Sequence, residues 1–320
     1  LDLTGEGIFV NVNDTGVDGS HAAFGKRIKG PGEGKDPDGH GTFVAGIIAG
    51  DGAGSDTIKT NPPPGPFADP DFKGMAIKAK LHVLKYSDGN VNNHVSDRWL
   101  QTESADYHYF QRPKQKHTLI SNNSWEYEDE SDYTWAAASY DAATRDALPE
   151  QPGDQQVIYV FPAGNSGSGT DNGLNASPNT ITAPGTAKNV ITVGAIDDKD
   201  TIGRGDDAIA SYSNSGPRED DGDDDDQDEL KPDVVSPGSD IMSARHAAST
   251  SPIPGTPKPL AKDGYLERSG TSMACPAVAG FVAVILQISE EEGLDLDPQE
   301  VKDLLRENSD SRGEASEPDA

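Results

Sequence analysis

The longest apolar run in the chain follows Ser269-Gly270-Thr271-Ser272. It continues through Met273, Ala274, Cys275, Val278, Phe281, Val282, Val284, Ile285, Leu286 and Ile288. A run with no polar face predicts a helix buried on all sides, and its length falls short of the roughly 20 residues needed to span a bilayer. Near the start, Ile8-Phe9-Val10-Asn11-Val12-Asn13 alternates like a half-buried strand and ends at Asp14. A second small-residue helix is predicted from Gly39-His40-Gly41-Thr42 through Phe43, Val44 and Ile47 to Ala49. Strands are predicted over Lys80 to Tyr86 and Thr118 to Asn123, with an amphipathic helix between them at 96 to 112 carrying Trp99, Leu100, Tyr107, Tyr109 and Phe110. The Ala-rich stretch from Thr134 to Leu148 predicts a helix that stops before Pro149. Gln156 to Phe161 is apolar almost throughout, as in a parallel sheet covered on both faces, and a loop from Ile181 feeds another strand ending near Ala195. Asp297-Pro298-Gln299-Glu300 has the capping Asp, first-turn Pro and third-position Glu of a helix start.

Composition narrows the partners. Across 320 residues, 55 Asp and Glu face 26 Lys and Arg, giving a formal charge of −29. Nucleic acid and anionic membranes need Lys and Arg at their phosphates, so neither is expected as a partner. The surplus fits a solvated surface, salt tolerance or calcium use. The most acidic run, Arg218 to Glu229, lacks EF-hand spacing and reads either as a cation-holding segment or as a solvated one. The single cysteine, Cys275, excludes an internal disulfide and reads as a small packed hydrophobe. Leu1 to Gly7 leads directly into the first strand without a signal-peptide pattern. Gly50 to Asp56 and Asn61 to Pro66 predict a long surface loop, and no internal repeat is evident.

The candidate chemistry lies where the elements begin and end. Asp14 closes a strand, His40 opens one helix and Ser272 opens another. A Ser or Thr ahead of an apolar run is most often a helix cap, and Ser272 alone would carry that reading. With Asp14 and His40 it completes the carboxylate, imidazole and hydroxyl needed for nucleophilic acyl transfer, in the chain order Asp, His, Ser. A rival imidazole, His21, lacks a helix-opening motif and reads as structural.

These three segments resemble the Asp, His and Ser motifs of the subtilisin-like serine peptidases, the subtilases. The resemblance runs from about Gly5 to Val282, with inserts at 51 to 73, 87 to 117 and 218 to 229. It implies a three-layer α/β domain with a mostly parallel central sheet flanked by helices, placed at 1 to 310, followed by a polar tail at 311 to 320. It also implies a secreted, monomeric endopeptidase acting on proteins or peptides, made with a prosegment. No cofactor is implied for the chemistry; structural calcium is implied, with ligands that cannot be assigned. Asp14, His40 and Ser272 would form the catalytic triad and Asn165, in Pro162-Ala163-Gly164-Asn165, the oxyanion-hole donor, although an asparagine between glycines is also a common turn residue. Ser124, Trp125, Glu126, Ala163 and Gly164 would line the substrate. Glu126 stands where the family usually has glycine. It would narrow the pocket or make its rim anionic, favouring basic or small side chains, or else point to solvent and leave the pocket unaltered. The Ala183-Pro184 bond corresponds to a cis turn of the family. The rival readings are a non-catalytic binding protein on the same fold and an acidic calcium-binding or matrix protein. A lipase-type hydrolase fits poorly, because Gly270-Thr271-Ser272-Met273-Ala274 lacks the second glycine of a nucleophile elbow.

Overall fold

Strand β5 (Val157–Pro162) shows how the layers are built. Its side chains alternate between two faces. Ile158 and Val160 join one hydrophobic cluster, while Val157, Tyr159 and Phe161 join another on the opposite side. A strand buried on both faces needs apolar residues at every position, which is why this segment has no polar alternation. The computed structural model describes residues 2–34, 36–57, 71–86, 95–112, 116–170, 176–198, 207–216, 230–246 and 264–309. The expected acidic segment at 218–229 and tail at 311–320 lie outside them.

Around β5 the sheet contains β1 (Phe9–Asp14), β2 (Ile28–Lys29), β3 (Lys80–Lys85), β4 (Leu119–Asn122), β6 (Ile191–Asp197), β7 (Ala208–Ile209) and β8 (Val234–Pro237). The order is β2-β3-β1-β4-β5-β6-β7, with β8 also on β6. Every pairing in it is parallel except β6 with β7. Val10 of β1 stands opposite Leu81 on one side and Ile120 on the other. The chain leaves β1 toward β2 and β3, then crosses back to β4. The crevice beyond the carboxyl ends of β1 and β4 is therefore the switch point where open α/β sheets place their ligands.

One face is covered by α1 (His40–Ala49), α4 (Thr271–Glu292) and α5 (Pro298–Glu307), through residues such as Val44, Ile48, Val278, Val282, Val301 and Leu305. The other is covered by α2 (Asp97–Asp106) and α3 (Trp135–Arg145), through Leu100, Ala137 and Tyr140. Each such aliphatic side chain, fully buried, contributes about 1.5–3 kcal/mol. This is the three-layer α/β arrangement expected from the resemblance. Helix starts are fixed locally: Ser96 and Thr134 accept from the backbone of Trp99 and Ala137, and Asp297 and Glu300 form a reciprocal capping box.

Two features depart from expectation. α4 has 22 residues, longer than its apolar run suggested and long enough by composition to cross a bilayer. Its packing against the sheet and α1, rather than its length, identifies it as the core helix. A separate antiparallel pair, β9 (Ile241–Ala244) with β10 (Tyr265–Arg268), lies against α1, where Ser243 Oγ donates to the Phe43 carbonyl at 2.7 Å. The cis Ala183–Pro184 bond is present, and Lys231–Pro232 is also cis.

Three buried polar arrangements complete the frame. Gln287 Oε1 on α4 accepts from the Thr4 and Gly5 N–H groups at 3.1 and 2.8 Å. Asp233 holds Lys231 Nζ at 2.7 Å and Lys302 Nζ at 3.0 Å, joining the β8 edge to α5. Burial pushes Lys231 down to about 7 against the pull of Asp233. Finally, His82, His108 and His117 are buried beside β1 and β4. His82 Nδ1 donates to Asn11 Oδ1 at 3.1 Å, and its ring stacks on Tyr107 at 3.6 Å. His108 Nε2 donates to the His117 carbonyl at 2.8 Å. His117 Nδ1 donates to Thr118 O at 2.9 Å, while its Nε2 accepts from Phe9 N–H at 3.3 Å.

Candidate active site

Asp14 is the last residue of β1 and fully buried. Its Oδ1 accepts from the Thr15 N–H at 2.8 Å and from His40 Nδ1 at 2.8 Å. That bond fixes the neutral ring with its proton on Nδ1 and leaves Nε2 as the basic nitrogen. Burial disfavours the imidazolium, but the Asp14 charge and hydrogen bond outweigh it. Asp38 adds to the effect and Arg268 subtracts, so the His40 pKa lies above its ordinary value.

The approach of α1 to β1 depends on a clamp that sequence reasoning missed. Asp36, itself buried, accepts from Thr15 Oγ1 at 2.7 Å and Gly39 N at 2.8 Å through one oxygen. Through the other it accepts from Thr42 N at 2.7 Å and from the Thr42 hydroxyl. Thr15 Oγ1 in turn accepts from Gly41 N at 3.0 Å. The signal was present as an acid three residues before Gly39 and six before Thr42, serving the free amides of a helix start. Gly41 has no alternative here, because a Cβ would lie 2.0 Å from the Gly16 carbonyl oxygen.

Ser272 is the second residue of α4 and partly exposed. The start of α4 meets the start of α1, where Met273 packs with Phe43 and Ile47, and the Arg268 guanidinium lies 5.7 Å from the Phe43 ring centroid. Asn165 is exposed at the loop after β5, and Thr271 ties it to Ser272: Asn165 Oδ1 accepts from Thr271 N–H at 2.8 Å and from Thr271 Oγ1 at 3.0 Å. Thr271 Oγ1 accepts from Gly164 N–H at 3.2 Å. With its oxygen committed to Thr271, the Asn165 side chain has its amide NH2 as the group left to donate.

The remaining predicted residues divide. Ser124 is buried, and its Oγ accepts from Asn122 Nδ2 at 3.0 Å. Ala163 is buried with its backbone bonded to Val193 and Thr182, and the Gly164 carbonyl accepts from Asn214 N–H at 3.1 Å. The Trp125 indole is 6% exposed and packs in the core among Tyr86, Tyr127, Tyr140 and Phe161, so only its backbone is left to face a substrate. Glu126 corrects the alternative that it points to solvent. It is half-buried, and its carboxylate accepts from the Thr182 hydroxyl. His21 lies apart, with Nε2 donating to Gly264 O at 2.9 Å and Nδ1 accepting from Ala23 N. Cys275, buried on α4, has its thiol pushed up by burial and donates toward Asn122 Oδ1 at 3.4 Å. Among the described residues no group of three or more His, Cys, Asp or Glu side chains could hold a metal, so no ligand set answers the expectation of calcium.

A carboxylate-oriented imidazole, a hydroxyl at a helix start and a pinned side-chain amide are the parts of a machine for acyl transfer. Comparison with known proteins gives a consistent picture. The profile of the Subtilase family matches residues 5–319. Serine protease AprX of Bacillus subtilis (strain 168) is 30% identical over 318 residues, covering 96% of this chain and 62% of the relative. The chain thus spans less than two-thirds of that protein. An intracellular serine protease of Paenibacillus polymyxa is 28% identical over 296 residues, covering 89% of this chain and 68% of the relative. Among solved structures, Sphericase superposes with a TM-score of 0.65 at 26% identity, covering 96% of this chain and 84% of that one.

Proposed function

The chain belongs to the subtilase family, and from that membership we propose that it hydrolyses peptide bonds of proteins through an acyl-enzyme on Ser272. In this reading His40 Nε2 takes the Ser272 proton as the hydroxyl attacks the scissile carbonyl, then returns it to the leaving amine. Asp14 holds the ring and stabilises the imidazolium. The carbonyl oxygen, negative in the tetrahedral intermediate, receives the Asn165 amide and an N–H from the first turn of α4. Water then attacks the acyl-enzyme by the same proton transfers in reverse.

The observation that carries the proposal is the 2.8 Å bond between His40 Nδ1 and buried Asp14 at the switch-point crevice. A structural histidine has no need of a buried carboxylate on Nδ1 with Nε2 left without a hydrogen bond among the described residues. A fluorophosphonate probe is expected to label Ser272 in the parent, and labelling is expected to vanish in Ser272→Ala and fall sharply in His40→Ala. A folded parent that takes no label and cleaves no peptide would leave the non-catalytic binding reading. Secretion rests on resemblance alone, and since one relative is named an intracellular serine protease, family membership is compatible with either compartment.

A further inference from the structure

Arg268 closes β10, four residues ahead of Ser272, and its guanidinium lies over the face of Phe43, 5.7 Å from the ring centroid. Phe43 is fully buried on α1, three residues after His40, and packs with Met273, the residue that follows Ser272. The cation is therefore fixed where the two helix starts that carry His40 and Ser272 meet. A ring beneath a guanidinium holds its plane by cation–π attraction and leaves the N–H groups at its edge to donate.

Those donors lack an anion. Arg268 is half-buried, and among the described residues no carboxylate pairs with it, although acidic residues outnumber basic ones by 55 to 26. Arg27, by contrast, has Asp51 at 3.6 Å. The acids beside His40 are engaged there: Asp14 accepts from the ring, and Asp38 accepts from the His40 backbone N–H at 3.1 Å. A held, half-buried guanidinium without a partner is complementary to a carboxylate brought by something else.

The reaction says which part of a substrate would bring it. On the mechanism above, His40 Nε2 returns its proton to the leaving amine, so the segment after the scissile bond begins against His40. Arg268 is held on α1 beside that point, whereas the oxyanion is received by the Asn165 loop, which Thr271 ties to α4. Arg268 also opposes the imidazolium that forms on His40, acting against Asp14 and Asp38. A carboxylate on the leaving segment cancels that opposition as the ring takes up its proton, and interactions that strengthen in the transition state raise kcat.

Resting on the peptidase reading above, we propose that Arg268 is a specificity-determining residue that selects aspartate or glutamate at P1′ or P2′, the first two residues of the leaving segment. Lysine or arginine there is disfavoured twice, by direct repulsion and by a second cation facing the imidazolium.

The test uses internally quenched peptides of one composition, in which a single glutamate is moved among P1′, P2′ and P5′, with the cleaved bond checked by mass spectrometry. Every peptide then carries the same net charge, so the long-range field of a chain with formal charge −29 acts on all of them alike. In the parent, kcat/KM with glutamate at P1′ or P2′ is expected to exceed that with glutamate at P5′ by about fivefold or more, the size of a charge-assisted pair at a partly exposed site. In Arg268→Gln that ratio is expected to fall to within about twofold of unity. The midpoint of the kcat/KM profile against pH is also expected to move upward in Arg268→Gln, because His40 then feels Asp14 and Asp38 without the opposing cation. A parent ratio near unity, a ratio unchanged in Arg268→Gln, or an unmoved midpoint overturns the assignment of Arg268, while fluorophosphonate labelling of both proteins leaves the peptidase reading standing. Absent labelling and absent cleavage of every peptide would instead overturn the peptidase reading, and this inference with it.

Discussion

Lowering the pH from about 7 to about 5 is expected to weaken the fold through its buried histidines. Burial, reinforced by the Arg112 charge, pushes His82 down to about 4. Burial and the neighbouring His117 push His108 down to about 3. His117 is also lowered, chiefly by burial. In the unfolded chain each titrates near 6.5, so below that pH the unfolded state binds protons that the native state refuses. The stability these neutral rings contribute is fully present above about 6.5, and it is lost as pH falls toward the folded values. At about 1.4 kcal/mol per pH unit, His82 and His108 each cost about 2 kcal/mol by pH 5, a large share of the roughly 5–15 kcal/mol of a typical domain. The surplus of acidic residues works the other way, since acid relieves their mutual repulsion. The measurement must therefore be a difference. Urea unfolding of Ser272→Ala, which cannot digest itself, would be compared with Ser272→Ala/His108→Gln at both pH values. The glutamine amide can still donate to the His117 carbonyl but cannot titrate. The parent is expected to lose about 2 kcal/mol more than the glutamine variant on acidification. Equal losses, within about 0.5 kcal/mol, would refute the claim that His108 is held neutral by its surroundings.

Other outcomes follow from the site and its frame. Because Asp14 raises the His40 pKa, and the ring must be neutral to accept the Ser272 proton, kcat/KM is expected to fall tenfold per pH unit below a midpoint above 6.5; a profile flat across that range counts against His40 as the base. Asp14→Asn would present the wrong tautomer and lower kcat by about 10⁴, the loss seen when the equivalent change is made in another serine-protease triad. Asn165→Ala is expected to lower kcat by about 10²–10³ with little change in KM, a magnitude carried over from subtilisin itself, a member of the same family. Gly41→Ala forces a methyl against the Gly16 carbonyl and is expected to cost about 1–3 kcal/mol or more, read as a lowered unfolding midpoint. Asp233→Ala strands two buried lysines and should cost about 3–5 kcal/mol by the same assay.

Much of this architecture was legible in the chain because single physical signals dominated. The continuous apolar character of Val157 to Phe161 marked a doubly covered strand, and Asp297 with Glu300 marked a helix start that the structure closes as a capping box. Asp14, His40 and Ser272 stand out as candidates because each lies where an element changes. The structure brings the first two into hydrogen-bond contact and sets the third beside Asn165 through Thr271. What escaped was set by tertiary context. β9 and β10 have four residues each and no alternation, and they pair across a long stretch of intervening chain. Nothing in the Lys-Pro-Asp sequence announces a buried ammonium, and only the structure shows Lys231 held on Asp233. The side of Trp125 could not be read either, because an aromatic leaving a strand looks the same whether its ring faces cleft or core, and four surrounding rings place the indole inside. The direction of Glu126 depended in the same way on Thr182 and Gly164, residues remote in the chain.

The seam where Gln287 grips the backbone at Thr4 and Gly5 joins positions separated by nearly the whole sequence. A contact of such long sequence separation forms only after a large loop has closed, and dependence on contacts of this kind slows folding. On the proposed mechanism, proteolytic competence would then be among the last properties to emerge, since β1 carries Asp14 and α4 carries Ser272. A newly made or half-assembled copy would pass through its most vulnerable stage without the means to cut its siblings.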